Sequence, residues 1–165
     1  MDYPKGENEY LRQLRLLEGQ FHEMGADPAL DSLVKEGQAH FGVKIAAVTL
    51  LTKDTQLLPA RVGIDVDQTP RDLAFCNYTI LHGDVFVVPD AQNDPIFRDH
   101  PLAVSEPFIR FYAGAPLTYL EGIRLGAFCL LDIVPRSFSL GDRAELTDFA
   151  DRAVSILVSK MSLPR

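Results

Sequence analysis

The sequence predicts an α/β (α+β) domain built on a central antiparallel sheet of five or six strands. Three observations carry this. The stretch 124–133 is apolar on both faces, with Leu125, Ala127, Cys129 and Leu131 alternating with Phe128 and Leu130. A strand of that kind needs a covering layer on each side of its sheet. Next come a turn at Pro135, then Ser139 and Asp142 in capping-box spacing, then Leu146, Phe149, Ala150 and Ala153 at helical spacing, which together start and sustain a helix. Finally, 70–107 holds five of the eleven prolines and only short regular pieces. Irregular stretches of that length in a compact domain are often functional.

The remaining elements follow in chain order. Tyr10, Leu14, Leu17, Phe21 and Met24 are spaced 4, 3, 4 and 3 apart, a seam suited to packing one helix on another. Gly19 weakens that helix. Asp27 and Pro28 fit the N-cap and first position of a second helix, over 28–41, with Leu30, Leu33, Val34 and Phe41 as its apolar face. Strands are expected at 43–51, 57–62, 85–88, 108–117 and 124–133. Lys53-Asp54-Thr55-Gln56 and Leu120-Glu121-Gly122 read as hairpin turns. Pro116 within a strand implies an edge or a bulge beside Gly114. The terminal helices, 7–24 and 140–160, are expected on one sheet face, and 70–107 on the other. The division is therefore an N-terminal helix for dimerisation or linkage at 1–27, the main domain at 28–160 and a tail at 161–165.

Bulk properties narrow the function. A chain of 165 residues with a net charge of −7 and no run of Lys or Arg lacks the basic stripe that neutralises phosphates, which argues against nucleic acid. No apolar run approaches a membrane span, and the N-terminus lacks the basic and apolar regions of a signal peptide. The expected compartment is the cytoplasm. No phosphate loop, dinucleotide fingerprint, nucleophile elbow or zincin motif occurs, and no C-x-x-C. His22, His40, His82 and His100 do not pair at ligand spacing, so no metal is expected. Asp84, Asp90, Asp94 and Asp99 read as turn formers and caps. Cys76 and Cys129 lie in apolar stretches and read as packing residues. A reactive thiol needs an electropositive setting, which Phe75, Asn77 and Tyr78 do not supply. No catalytic residue is expected.

The stretch Gly126-Ala127-Phe128-Cys129-Leu130-Leu131-Asp132, with Pro135-Arg136, Phe138-Ser139 and Asp142-Arg143, resembles the end of a GAF domain. The form is that of bacterial sensor histidine kinases and diguanylate cyclases. Three further segments resemble it in the same order: Thr69-Pro70-Arg71-Asp72-Leu73-Ala74-Phe75-Cys76, Val87-Val88-Pro89-Asp90-Ala91 with Asp94-Pro95 and Phe97, and Ile109 through Leu117. The resemblance covers roughly 28–158. It implies a sensory role in signal transduction, such as a two-component system. A small molecule or partner would be bound, and the change passed through the terminal helices to an output module outside these residues. The bilin-binding members carry a Cys-His pair that is absent here, and the methionine-sulfoxide-reducing members use a different cysteine pattern. Tyr78 and Leu57 stand where His and Trp are common in the family, so no ligand or cofactor identity carries over.

The expected pocket lies between the sheet and 70–107, lined by Phe75, Asn77, Tyr78, Asp90, Asn93, Phe97, Phe111 and Ala113. An aperiodic layer packs less densely than a helical one and can leave a cavity. Asn77, Asp90 and Asn93 would orient a ligand while the aromatics exclude water. Because alternation sends Phe111 and Tyr112 to opposite faces, one of them fills core. The terminal helices carry more apolar residues than one sheet face can cover, which predicts a homodimer through Tyr10–Met24 and Leu146–Leu157. Two other readings remain: a small redox enzyme using Cys76, and a dimerisation module whose pocket is filled by its own side chains.

Overall fold

A computed structural model describes residues 2–23 and 25–160. Met24 of the N-terminal seam and the 161–165 tail lie outside the described residues. Six strands form one antiparallel sheet: β1 (Ile45–Leu51), β2 (Thr55–Val62), β3 (Gln68–Pro70), β4 (Phe86–Val88), β5 (Phe111–Thr118) and β6 (Arg124–Asp132), in the order β3-β2-β1-β6-β5-β4. Two long helices, α2 (Pro28–Phe41) and α5 (Leu140–Ser159), lie side by side on one face. The opposite face is covered by 71–110, with the short helices α3 (Cys76–Thr79) and α4 (Pro101–Val104). Two cores result. One joins Val48, Leu50, Phe111, Phe128 and Leu130 to Leu30, Leu146 and Phe149. The other joins Ile45, Ala47, Tyr112, Ala127 and Cys129 to Phe75, Cys76, Phe97 and Ile109.

The helix caps form as the sequence predicts. Ser139 Oγ accepts from Asp142 N at 3.0 Å while Asp142 Oδ2 accepts from Ser139 N at 2.9 Å. Asp27 Oδ1 accepts from Ala29 N and Leu30 N, with Pro28 in the first helical position. Asp90 and Asp94 cap local turns, as expected of aspartates in this region.

The N-terminal helix is shorter than its seam. α1 (Glu9–Glu18) ends at Gly19, and Gln20 takes φ 55°. The chain then folds back so closely that a Cβ on Gly19 would meet the Phe21 ring at 2.4 Å. Phe21 therefore turns into the core against Tyr119, with ring centroids 5.6 Å apart. Arg12 and Leu16 form the buried face of α1, whereas Tyr10 is 78% exposed and Leu17 57% exposed.

A bulge changes the parity of β6. Pro116 pairs with Ala127 and Thr118 with Arg124, so β6 carries one more residue than β5 between these pairs. Such an extra residue flips the facing of what lies beyond it. Leu125 consequently joins the helix-side core, away from Ala127 and Cys129, with which simple alternation had grouped it. Gly126 is needed at this point, because a Cβ would lie 1.9 Å from Thr49 O. Pro116 sits beside the bulge and past the end of β4, which pairs only with Tyr112, Ala113 and Gly114. No helix among the described residues is long and apolar enough to cross a membrane.

Candidate functional site

The covering segment meets the sheet unevenly. Towards β4 and β5, Phe75 stacks on Phe97 at 4.6 Å, Tyr78 stacks on Phe86 at 5.8 Å, and Tyr112 closes the cluster against Phe75 at 5.3 Å. Aromatic side chains thus fill that half. Towards β1 and β2 the sheet presents the short side chains of Ala47 and Thr49, which leave space below the layer above. A cavity of about 70 Å³ remains there, walled by Ile45, Leu58, Leu73, Phe75, Ile109 and Leu131. Half-exposed Gln56 and Pro107 and the exposed Val66 stand at its rim. The lining is almost wholly apolar; besides Gln56 and Thr69, which bond each other at 3.0 Å, its polar groups belong to one cluster around Cys76.

That cluster joins four elements. Cys76 begins α3, Thr49 lies on β1, and Tyr112 and Cys129 lie on β5 and β6. Tyr112 Oη donates to Cys76 Sγ at 3.1 Å and shares a 2.8 Å hydrogen bond with Thr79 Oγ1. The Thr49 hydroxyl lies 3.3 Å from both Cys76 Sγ and Ala127 O. Cys129 lies on β6 between Thr49 of β1 and Tyr112 of β5 and borders the same cavity as Cys76. Gly114 makes room for the phenol, since a Cβ there would stand 2.2 Å from Tyr112 Oη. The neighbouring Cys129 thiol, followed by the hydroxyls of Thr49 and Tyr112, outweighs burial and holds the Cys76 thiol below its ordinary range. The proximity of Cys76, together with burial, pushes Cys129 well up. Burial, reinforced by the neighbouring thiols, raises Tyr112 as well.

A second polar network ties the covering layer to α1. Arg71, fully buried, precedes α3 by one short turn. Its Nε donates to Asn77 Oδ1 at 3.0 Å and its Nη1 to Thr52 O at 3.1 Å. Asn77 Nδ2 returns a bond to Arg71 O at 2.7 Å. The same guanidinium reaches Glu9 on α1 through Nη1 at 2.6 Å and Nη2 at 3.1 Å. Glu9 is also bound by Arg12 Nε and Nη2, each at 3.1 Å, and Arg12 Nη1 donates to Leu125 O at 3.2 Å. Burial alone would raise the Glu9 carboxyl, but hydrogen bonds from Arg71, Arg12 and Gln13 hold it down at about 2.

Of the eight residues expected to line the pocket, the structure brings Phe75 to the cavity. Phe97 and Tyr78 belong to the aromatic cluster beside it. Asn77 is buried but turned to Arg71, where it holds backbone rather than ligand. Asp90 and Asn93 lie on the outer rim, bonded to each other at 2.9 Å. Asp90 forms a two-point ion pair with Arg110 at 2.7 and 2.9 Å. Phe111 and Ala113 lie on the helix-covered face, because Ala113 pairs with Leu130, which faces the helices, while Tyr112 pairs with Leu131 on the cavity side. Sequence reasoning missed Ala47, Thr49, Tyr112 and Cys129 as site residues. A choice of Tyr112 over Phe111 was available from the β6 pattern, since Cys129 and Leu131 share the face opposite Phe128. The convergence of Thr49 and Tyr112 on Cys76, from 27 and 36 residues away, leaves no local signal. Among the described residues, no group of three His, Cys, Asp or Glu side chains could hold a metal ion.

One antiparallel sheet with helices on one face and an irregular cover over a cavity on the other defines a three-layered α+β domain. The chain belongs to the GAF domain family, whose model matches residues 26–157. It is 42% identical over 152 residues to a cyclic di-GMP phosphodiesterase of Pseudomonas aeruginosa, which covers 90% of this chain and 25% of that protein. The chain thus spans a quarter of that relative's length. Among solved structures, the GAF domain of an Acinetobacter phosphoenolpyruvate-protein phosphotransferase superposes with a TM-score of 0.66 at 14% identity, covering 94% of this chain and 96% of that one. A type II free methionine-R-sulfoxide reductase from Thermoplasma acidophilum superposes with a TM-score of 0.64, also at 14% identity, over 94% and 98%. At such identities these two likenesses concern the fold.

Proposed function

We propose that this GAF domain is a sensor that admits a small apolar molecule to the cavity over Ala47 and Thr49 and reports it through α1. One observation carries this reading. Phe75 and Cys76 wall the cavity, and the same short stretch begins with Arg71, whose guanidinium grips Glu9 of α1 at 2.6 Å. A ligand that pushes α3 outward shifts Arg71, and Arg71 can move only by straining or breaking its bonds to Glu9. At about 70 Å³ the cavity is about half the size of engineered apolar cavities of about 150 Å³ that take up benzene, so it favours a compact, largely apolar ligand whose entry pushes the cover outward. A nucleotide needs several times the space present.

The output lies outside these residues. The relative named as a cyclic di-GMP phosphodiesterase is matched over a quarter of its length, which supports a regulatory module attached to an enzyme of cyclic-dinucleotide turnover. The exposed Tyr10 and Leu17 border a groove between α1 and the β1–β2 hairpin, lined also by Leu57 and Thr55. This supports a homodimer in which a second copy covers the seam. The test is an NMR titration of the chain with benzene. The expected result is amide shifts at Ala47, Leu58 and Tyr112 together with shifts along α1. The α1 shifts, but not the cavity shifts, should vanish in Glu9→Gln. Cavity shifts without any response in α1 would reject transmission, and no shift at the cavity would reject the sensor reading.

A further inference from the structure

Cys76 and Cys129 are 53 positions apart in sequence but border the same cavity, and Cys76 Sγ, reached by Thr49 of β1 and Tyr112 of β5, sits over the stretch of β6 between their partners Ala127 and Leu131, where Cys129 lies. Their surroundings are not those of two packing residues. Cys76 Sγ accepts from Tyr112 Oη at 3.1 Å and lies 3.3 Å from the Thr49 hydroxyl. Thr79 stands behind Tyr112 at 2.8 Å and can supply its hydrogen to the phenol oxygen, leaving the phenol hydrogen for the sulfur. Hydroxyl donors converging on one sulfur favour its negative form, the form that acts as a nucleophile. Cys76 is held below the ordinary thiol range and Cys129 above it, which agrees with one sulfur set to attack and the other keeping its proton. Both border the cavity, which has room for molecules the size of water and has half-exposed Gln56 and Pro107 and exposed Val66 at its rim.

We propose that Cys76 and Cys129 form a dithiol that hydrogen peroxide oxidises to an intrachain disulfide joining α3 to β6. In the first step the Cys76 sulfur attacks one peroxide oxygen and the O–O bond breaks. The departing hydroxide takes up the proton released by Cys76 and leaves as water, so Cys76 becomes a sulfenic acid. In the second step the Cys129 sulfur attacks the Cys76 sulfur and the S–O bond breaks. The second hydroxide leaves as water with the Cys129 proton. Two thiols lose two hydrogens and two electrons, and the peroxide is reduced to two waters. A thiol reductant reverses the bond by exchange. The disulfide would pin α3 to the sheet, and with it the stretch that carries Arg71. The proposal does not depend on the cavity holding a ligand.

The test uses the reduced 165-residue chain, treated with hydrogen peroxide, then unfolded and alkylated for intact mass and peptide mapping. The expected product is a single chain lighter by two hydrogens, not alkylated, with one disulfide linking the peptides of Cys76 and Cys129. It should form about tenfold faster in the folded chain than in the urea-unfolded chain, because folding supplies both the activated sulfur and its partner. In Cys129→Ala the reaction should stop at Cys76 sulfenic acid, captured by dimedone; in Cys76→Ala, Cys129 should stay reduced. If either variant fails to fold, the unmodified chain still decides. Two fully alkylated thiols after peroxide, disulfides only between chains, or oxidation no faster in the folded state would each overturn the proposal.

Discussion

Glu9 of α1 and Arg71 of the cavity cover are 62 residues apart in sequence, yet their side chains meet at 2.6 Å in a setting where the arginine is fully buried. Arg12 approaches the same carboxylate from its own helix and is itself buried. One carboxylate therefore serves two cations withdrawn from water. Removing one partner of such a network leaves uncompensated charge, which costs about 3–5 kcal/mol when burial is complete. Glu9 is 19% exposed, so water can relieve part of this. Glu9→Ala should destabilise the chain by about 2–3 kcal/mol in urea unfolding, and should free α1 before the rest, seen as faster amide exchange over 10–18. A loss below about 1 kcal/mol would place the pair among ordinary surface ion pairs.

The same carboxylate sets an acid limit. Its folded value of about 2 lies below the ordinary 4.5, so the folded state binds this proton less readily than the unfolded one. The contribution is complete above the ordinary value and is lost as pH falls from there towards 2. Asp27 and Asp90 act in the same direction. At Asp27, hydrogen bonds from Leu30 N and Ala29 N, with Lys160 nearby, overcome burial; at Asp90, the Arg110 bonds dominate. Urea midpoints should fall between about pH 5 and about pH 3, and Glu9→Gln should flatten part of that fall. An identical slope in the variant would show that Glu9 is not a source of it.

Filling the cavity should separate binding from folding. Ala47 lies on the cavity floor, and Leu there adds three carbons to about 70 Å³ of free space. The expected stability change is within about 1.5 kcal/mol, since the added volume enters a void rather than a packed core. Benzene shifts at Leu58 and Tyr112 should disappear. Retained binding with unchanged affinity would move the ligand site elsewhere.

The fold was legible because its signals are local. The capping box at Ser139, the Asp27-Pro28 start and the two-faced pattern of β6 each act within a few residues. The sheet and its two covering layers follow from such signals, whereas β3, only three residues long, is not among the five expected strands. The site was less legible, because it depends on parity and on convergence. One extra residue in β6 moves Leu125 to the other face, and no composition signal marks it. Choosing Phe111 and Ala113 instead of Tyr112 is a shift by a single position, which on a strand exchanges one side of the sheet for the other. Asn77, Asp90 and Asn93 have the chemistry of ligand contacts, but their hydrogen-bonding capacity goes to Arg71, Arg110 and each other. The location of the cavity follows from the sizes of Ala47 and Thr49 set against the aromatics on the β5 side. That comparison requires knowing which strands are neighbours.

The N-terminal seam gives the last prediction. Phe21 leaves the seam for the core once the helix ends at Gly19. What stays on the outer surface of α1 is Tyr10 and Leu17, with Leu14 half-buried between them. Two large apolar side chains one to two turns apart on an exposed helix, beside a groove that Leu16 and Leu57 also line, are an unusual surface for a chain that stays alone. A second copy laying its own α1 against this strip would remove them from water at both ends of a twofold contact. Leu14→Glu with Leu17→Glu places charge in that contact and should give a monomer by light scattering. Leu17 is exposed and Leu14 half-buried, so the fold should persist, with circular dichroism unchanged. The unmodified chain should scatter as a dimer at tens of micromolar, and a mass of one chain there would remove the dimer and leave α1 to meet its partner elsewhere.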